Sequence, residues 1–223
     1  MEKEFELYDF FKSPKTIKGE AKEALIGNKK SSLAINFIFT LSKLSFFTGL
    51  VLLILLIVNI GTYNIILFST LSLSFLLISL LTYGPLRISV CKNALNMVNN
   101  TNPSFKDVTF GFKNKYGRNV GYGISLFFVY LINLILLIIP FLKKYCDYQV
   151  SGFILAEDLE MSSGDALKLS SKLSKGYTKN YLKIIVSLLP QFALCIPTLL
   201  IYSLWLKPLY NSMICVYYYD IKA

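Results

Sequence analysis

Apolar runs long enough to cross a bilayer constrain this chain more than any other feature. Residues 44–60, 65–81 and 119–139 carry no charged side chain, and residues 181–206 carry only Lys183. About 17–25 apolar residues in helical form span the roughly 30 Å hydrocarbon layer. Backbone polar groups at that depth must be satisfied within the segment, so each run is expected to be a helix. The bulk composition agrees. Only 16% of the 223 residues are charged, against about 25% in soluble domains, and the mean hydropathy is +0.54.

The charges sit beside these runs. The net charge of +10 therefore points to anionic lipid headgroups as partner and not to nucleic acid. The sharpest case begins at Ser162-Ser163-Gly164-Asp165. Lys168, Lys172, Lys175 and Lys179 follow at spacings of four, three and four, which places them on one helical face. Ala166, Leu169, Leu173 and Tyr177 fall on the opposite face. Such a segment is expected to lie on a membrane and to lead into the 181–206 run. Ser13-Pro14 starts a similar helix, with an N-cap and a proline at the first helical position. Its lysines Lys15, Lys18, Lys22 and Lys29 oppose Ile17, Ala21, Ala24 and Leu25. Ser104 and Asp107 have the spacing of a capping box. Phe105, Val108, Phe112 and Tyr116 follow as an aromatic face.

These starts define a threefold repeat. Gly27, Gly117 and Gly176 follow Ser13, Ser104 and Ser162 by 14, 13 and 14 residues, and an apolar run follows each glycine. A break comes next, at 61–64, 140–144 and Lys207-Pro208, and then a second apolar stretch. The expected fold is an all-α polytopic membrane protein. It is a helical bundle of about six membrane segments arranged as three hairpins, each preceded by an amphipathic interfacial helix. Residues 1–12 form an N-terminal polar segment. Residues 13–223 form a single integral membrane domain with repeats at about 13–100, 104–158 and 162–220, related about an axis normal to the membrane. No short apolar region with a cleavage site precedes the first run, so no cleaved signal is expected. If 145–156 and 209–219 both return through the membrane, Lys143, Lys144 and Lys207 face outward and Lys43 lies in the first segment. All other Lys and Arg then face the cytoplasm with both termini, as the positive-inside tendency demands. Lys43 is expected to snorkel to a boundary. Tyr83-Gly84-Pro85 is expected to mark a kink or exit, and residues 93–102 a loop.

Several motifs resemble an uncharacterised family of bacterial integral membrane proteins, the domain of unknown function 975 family. They are Ile139-Pro140, Ile154-Leu155-Ala156-Glu157-Asp158, Ala166-Leu167-Lys168-Leu169-Ser170, Lys175-Gly176, and the ending Pro208-Leu209-Tyr210 with Tyr217-Tyr218-Tyr219. The resemblance covers about residues 21–219. Phe141 stands where the family commonly has Gly, and Leu189-Pro190 where it tends to carry Trp. The resemblance implies a multi-pass bacterial membrane protein of the plasma membrane and no established activity.

Candidate chemistry is sparse. There is no histidine, hence neither the commonest general base nor the commonest metal ligand. Cys91, Cys146, Cys195 and Cys215 sit singly and read as buried small hydrophobes. No nucleotide-binding, serine-hydrolase or zinc-protease motif occurs. Neither catalysis nor a cofactor nor a metal is expected; the acids Glu157, Asp158, Glu160 and Asp165 cluster near a helix start, where capping and dipole compensation explain Asp165 and cation binding, without a recognisable ligand loop, is the alternative. Intramembrane polar residues are the remaining candidates. Asp147 is expected near the outer interface, paired with Lys143 or Lys144, with ion coupling as the alternative. Asn133 and Gln191 are expected to hydrogen bond between helices or to face a substrate path, and Pro190 and Pro197 to bend their helix. Two functions follow. One is a non-enzymatic, lipid-interacting scaffold or accessory component of the envelope, held to an anionic bilayer by Lys15, Lys18, Lys22, Lys168, Lys172, Lys175 and Lys179. The other is a small transporter or export protein with a path between the hairpins, working as a homo-oligomer or with a membrane partner. A polar cavity at the centre separates the second from the first.

Overall fold

Ser13 and Ser162 start their helices in the same way. The Ser13 hydroxyl accepts from the Thr16 N–H at 3.2 Å, and the Ser162 hydroxyl from the Asp165 N–H at 3.1 Å. Each cap satisfies one of the donors that a first turn leaves open. The helices that follow, α1 (Pro14–Leu25) and a later one (Ser163–Ser174), both have 12 residues. Both end in one type of turn. Ile26 and Lys175 are extended at ψ 124° and 120°, and Gly27 and Gly176 have φ of +88° and +93°. Glycine reaches that left-handed region without steric cost, which is what a type II turn needs at its third position.

The computed structural model describes residues 12–58, 65–101, 103–136, 138–193 and 201–222, and all regular structure among them is helical. After α1 come α2 (Lys29–Val58) and α3 (Ile65–Val98), of 30 and 34 residues. A 3-10 turn (Phe105–Thr109) leads into the short α4 (Phe110–Lys113) and then α5 (Tyr116–Leu136). Next are α6 (Ile138–Asp147), α7 (Ser151–Glu157), α8 (Ser163–Ser174), α9 (Thr178–Ala193) and α10 (Ile201–Lys222). The expectations for residues 1–11, for the turn at 61–64 and for Cys195 and Pro197 lie outside the described residues.

Two helices, α2 and α3, are long and apolar enough to cross a membrane, with mean hydropathy of 2.4 and 2.3 over their most apolar stretches. Only 11% of each stretch is buried, so neither is the covered core helix of a soluble domain. They pair antiparallel through serines: Ser42 with Thr82 at 2.7 Å, Ser45 to the Phe75 carbonyl at 3.2 Å and Ser72 to the Gly49 carbonyl at 2.9 Å. Their outer faces carry Phe47, Ile54, Ile66 and Leu73, each more than half exposed. Phe128 and Ile132 of α5 and Val186 and Leu189 of α9 extend this apolar surface. So many large apolar side chains exposed on neighbouring turns mark a membrane or protein contact.

The second half of α3 is buried. It continues through Pro85 to Val98, past the expected exit and into the expected loop. Here α5 crosses it at very short range. A Cβ on Gly84 would lie 1.9 Å from the Asn119 carbonyl oxygen, and one on Gly123 would lie 2.8 Å from the Gly84 nitrogen. Close backbone approach of this kind needs glycine on both helices.

The three capped segments pack in a cycle. The 3-10 turn and α4 lie on α3, where the fully buried Ser89 hydroxyl donates to the Val108 carbonyl and accepts from the Gly111 N–H, both at 2.9 Å. Helix α8 lies on α6, with the Ser170 hydroxyl donating to the Asp147 carbonyl at 2.6 Å. Helix α1 lies on α10 at the far end of the chain, tied by the Lys12–Asp220 ion pair. Ile17 and Ala21 of α1 and Ala166, Ser170 and Ser174 of α8 are almost wholly covered by protein. The faces assigned to the membrane surface thus pack at least in part against the bundle, with Ala24, Leu25, Leu169, Leu173 and Tyr177 half-buried, and the lysines lie mostly outside. The middle segment departs further. Its aromatic face is split by the break at Asn114–Lys115, and Gly117 falls inside α5. The left-handed residue there is Lys115, at φ 50°.

Candidate functional site

The centre of the bundle is hollow. A cavity of about 420 Å³ lies between α2, α3, α6, α7, α9 and α10, within the roughly 300–1,000 Å³ typical of small-molecule sites. Three chain segments line it in the same rhythm. Arg87, Gln149 and Tyr210 contribute one side chain each, and the residues four positions on, Cys91, Phe153 and Ile214, line it as well. A fully buried serine follows each of the first three by two positions: Ser89, Ser151 and Ser212. Two of the segments share the pattern Pro-Leu-x-x-Ser, at Pro85–Ser89 and Pro208–Ser212. This spacing was the available sequence signal for the site. It is easily missed because the cavity-facing residue differs each time.

The lining is rich in hydrogen-bond donors. Arg87 donates from Nε to the Tyr122 hydroxyl at 3.2 Å and from Nη2 to Gln149 Oε1 at 3.3 Å. Both acceptors are neutral, and part of the five-donor guanidinium fork is left over. Gln149 is only 5% exposed, and its Nε2 has no acceptor. Lys43 reaches in from α2 and rests its ammonium 4.4 Å from the centre of the Phe39 ring. Lys207 donates to Thr40 Oγ1 at 2.7 Å, and Asn211 donates to Asn36 Oδ1 at 2.8 Å. The described lining holds three cationic side chains and no carboxylate. Removing cations from bulk water is costly without anionic compensation, and a buried donor without an acceptor costs about 1–3 kcal/mol. The arrangement is therefore chemically complementary to an anionic, acceptor-rich group. It offers no nucleophile paired with a base.

The expected site residues lie elsewhere. Lys43, expected to snorkel to a boundary, sits midway along α2, which begins at Lys29, and lines the cavity. Asn133 donates to the Val129 carbonyl of its own helix at 2.7 Å. Asp147 is buried against α8 and makes no ion pair with Lys143 or Lys144; Lys144 instead donates to the Tyr148 hydroxyl and lies over its ring. Gln191 follows Pro190 inside α9, away from the lining. Lys15, Lys22, Lys168, Lys172, Lys175 and Lys179 are exposed. Lys18 bends toward the Ser187 carbonyl of α9 at 3.5 Å.

A second polar cluster closes one end of the bundle. Glu157, at the end of α7, accepts from the Tyr218 hydroxyl at 2.7 Å and pairs with Lys222. Burial alone would push its carboxyl up, but the Lys222 and Tyr218 hydrogen bonds bring it below the usual carboxylate value. Beside it, Arg118 donates to the carbonyls of Leu155, Asp158, Leu159 and Met161 at 2.8–3.1 Å. This ties the start of α5 to the end of α7.

No protein-family model matches the chain, and no curated protein and no solved structure matches it significantly.

Proposed function

We propose that this chain is a multi-pass protein of the bacterial plasma membrane that binds an anionic group in its central cavity. It acts as a ligand-binding or transport component and not as an enzyme. The single observation that carries this reading is the cavity lining, with Arg87, Lys43, Lys207 and the Gln149 Nε2 that has no acceptor, and no carboxylate among its described residues. A scaffold needs no such hollow, so the cavity favours the second expected function over the first.

The same reading takes six membrane segments as three hairpins, with both termini cytoplasmic. It is supported by the cyclic packing of α1, α4 and α8 and by the Arg118 clamp, which brings the two ends of α5–α7 together. The resemblance to the uncharacterised bacterial family belongs to this proposal and adds no activity. The exposed lysines of α1 and α8 then face anionic headgroups, each adding about 1 kcal/mol of attraction near the surface.

Thermal unfolding of the purified protein in an uncharged detergent tests the binding reading. Inorganic phosphate is expected to raise the midpoint of the wild type and not that of Arg87→Gln. A ligand at 100 times its Kd stabilises by about 2.7 kcal/mol. A rise of the same size in both proteins would sink the reading. Topology is tested separately with Lys143→Cys, which an external thiol reagent should label in intact cells.

A further inference from the structure

Lys43 lines two spaces at once. Beside the cationic cavity lies an apolar groove of about 540 Å³ between α2, α3, α5 and α6. Its walls include Phe46, Leu50, Tyr83, Tyr130 and Leu131, and its outer edge is formed by Phe47 and Phe127. Phe47 is 62% exposed and belongs to the apolar surface that faces outward, so the groove opens where lipid chains would be. Tyr130 places a buried hydroxyl without a partner in this wall. Lys43 stands where groove and cavity meet, and apart from Ser79 and the tyrosine hydroxyls the groove is lined by carbon.

We infer that the site takes an anionic phospholipid from the bilayer. Its phosphate enters the cavity among Arg87, Lys43 and the Gln149 amide, and an acyl chain lies in the groove. This rests on the anion-binding reading above and names its ligand. Three features select this occupant. The charge of the cavity complements a phosphate, and arginine and lysine bind phosphate through charge-assisted hydrogen bonds. The apolar groove is continuous with the charged site through one shared side chain. The groove's mouth lies on the exposed apolar surface, so the chain portion of the ligand never has to cross water.

The test uses the full chain in an uncharged detergent, with inorganic phosphate, dioleoyl-phosphatidylglycerol and dioleoyl-phosphatidylcholine as probes. Lipid binding is read by native mass spectrometry and phosphate by thermal shift. The wild type should prefer phosphatidylglycerol to phosphatidylcholine by about tenfold or more: both carry one phosphodiester, but the quaternary ammonium of choline is repelled by Lys43, Arg87 and Lys207. Leu131→Trp, which fills the groove, should weaken phosphatidylglycerol by about tenfold and leave the phosphate response unchanged; that response also reports that the variant is folded. Arg87→Gln should lose both, and Arg87→Lys should recover part of each. If Leu131→Trp leaves phosphatidylglycerol binding intact, or the two lipids bind alike, the lipid assignment is overturned while the anion reading stands. If neither phosphate nor phosphatidylglycerol depends on Arg87, both fall. Phosphatidylglycerol binding that needs Arg87 and Leu131 without any phosphate response supports the lipid assignment, because the chain then supplies the missing affinity.

Discussion

Ser89 and Ser212 occupy matching places in the Pro-Leu-x-x-Ser pattern, and both are fully buried, yet their hydroxyls have opposite fates. Ser89 bridges the Val108 carbonyl and the Gly111 N–H. The Gly111 N–H lies in the first turn of α4, whose own N-cap residue, Thr109, makes no side-chain capping bond. Ser89→Ala therefore orphans a buried donor and weakens the satisfaction of a buried acceptor. At about 1–3 kcal/mol for each orphaned group, with the carbonyl discounted for its second lone pair, the loss should be about 2–4 kcal/mol. The Ser212 hydroxyl has no partner. Ser212→Ala removes an uncompensated polar group and should change stability by about 0 to 1 kcal/mol in the stabilising direction. Both changes delete one oxygen, so any small packing loss is common to the two and cancels in the comparison. Reversible unfolding from mild detergent into dodecyl sulfate micelles, followed by near-ultraviolet circular dichroism, measures each value. Equal destabilisation by the two variants, or a Ser89→Ala effect below about 0.5 kcal/mol, would refute the assignment of the bridge as the source of stability.

Two further outcomes are expected from the same measurement. Gly84→Ala should cost about 2 kcal/mol or more, because its Cβ meets the rigid Asn119 backbone; Gly121→Ala, with nothing within 4 Å, should be neutral or gain up to about 1 kcal/mol. Glu157 titrates lower in the folded protein than in the unfolded chain. Its contribution is therefore present above the ordinary glutamate value of 4.5 and is lost as pH falls below that value through the folded one. Wild type should lose stability over that acid window more steeply than Glu157→Gln, and parallel pH profiles would show that the Lys222 and Tyr218 contacts do not hold the charge.

Local features were legible where one residue type decides the backbone. Ser13 and Ser162 cap, and Gly27 and Gly176 turn, as their chemistry requires, and the uncharged stretches of α2 and α3 are helices. What was not legible depends on residues far apart in the chain. Arg87, Gln149 and Tyr210 share a position and not a chemistry, so only their spacing from a buried serine links them. Lys43 looked like a boundary residue because the uncharged run starts at Leu44. The helix itself starts 14 residues earlier, at Lys29, and that puts the lysine midway along it, beside the cavity. Amphipathic helices α1 and α8 carry a lipid-binding pattern, but a neighbouring helix offers the same apolar contact as lipid and adds hydrogen bonds, as Ser170 does with the Asp147 carbonyl. The middle capping box at Ser104 formed as its spacing required, yet the Asn114–Lys115 break was hidden because neither residue is a strong helix breaker.

The seat of α1 on α10 also sets an order of events during biosynthesis. Helix α1, with Ile17 and Ala21 in its buried face, gains its full cover once α10 has left the ribosome. At about 5–20 residues per second, the first helix is made roughly 10–40 s before its resting place exists. Until then its apolar side must be kept elsewhere, and the headgroup layer suits a lysine-edged helix well. The membrane surface is then a waiting room for α1 during assembly, and α10 is the clasp that closes the ring.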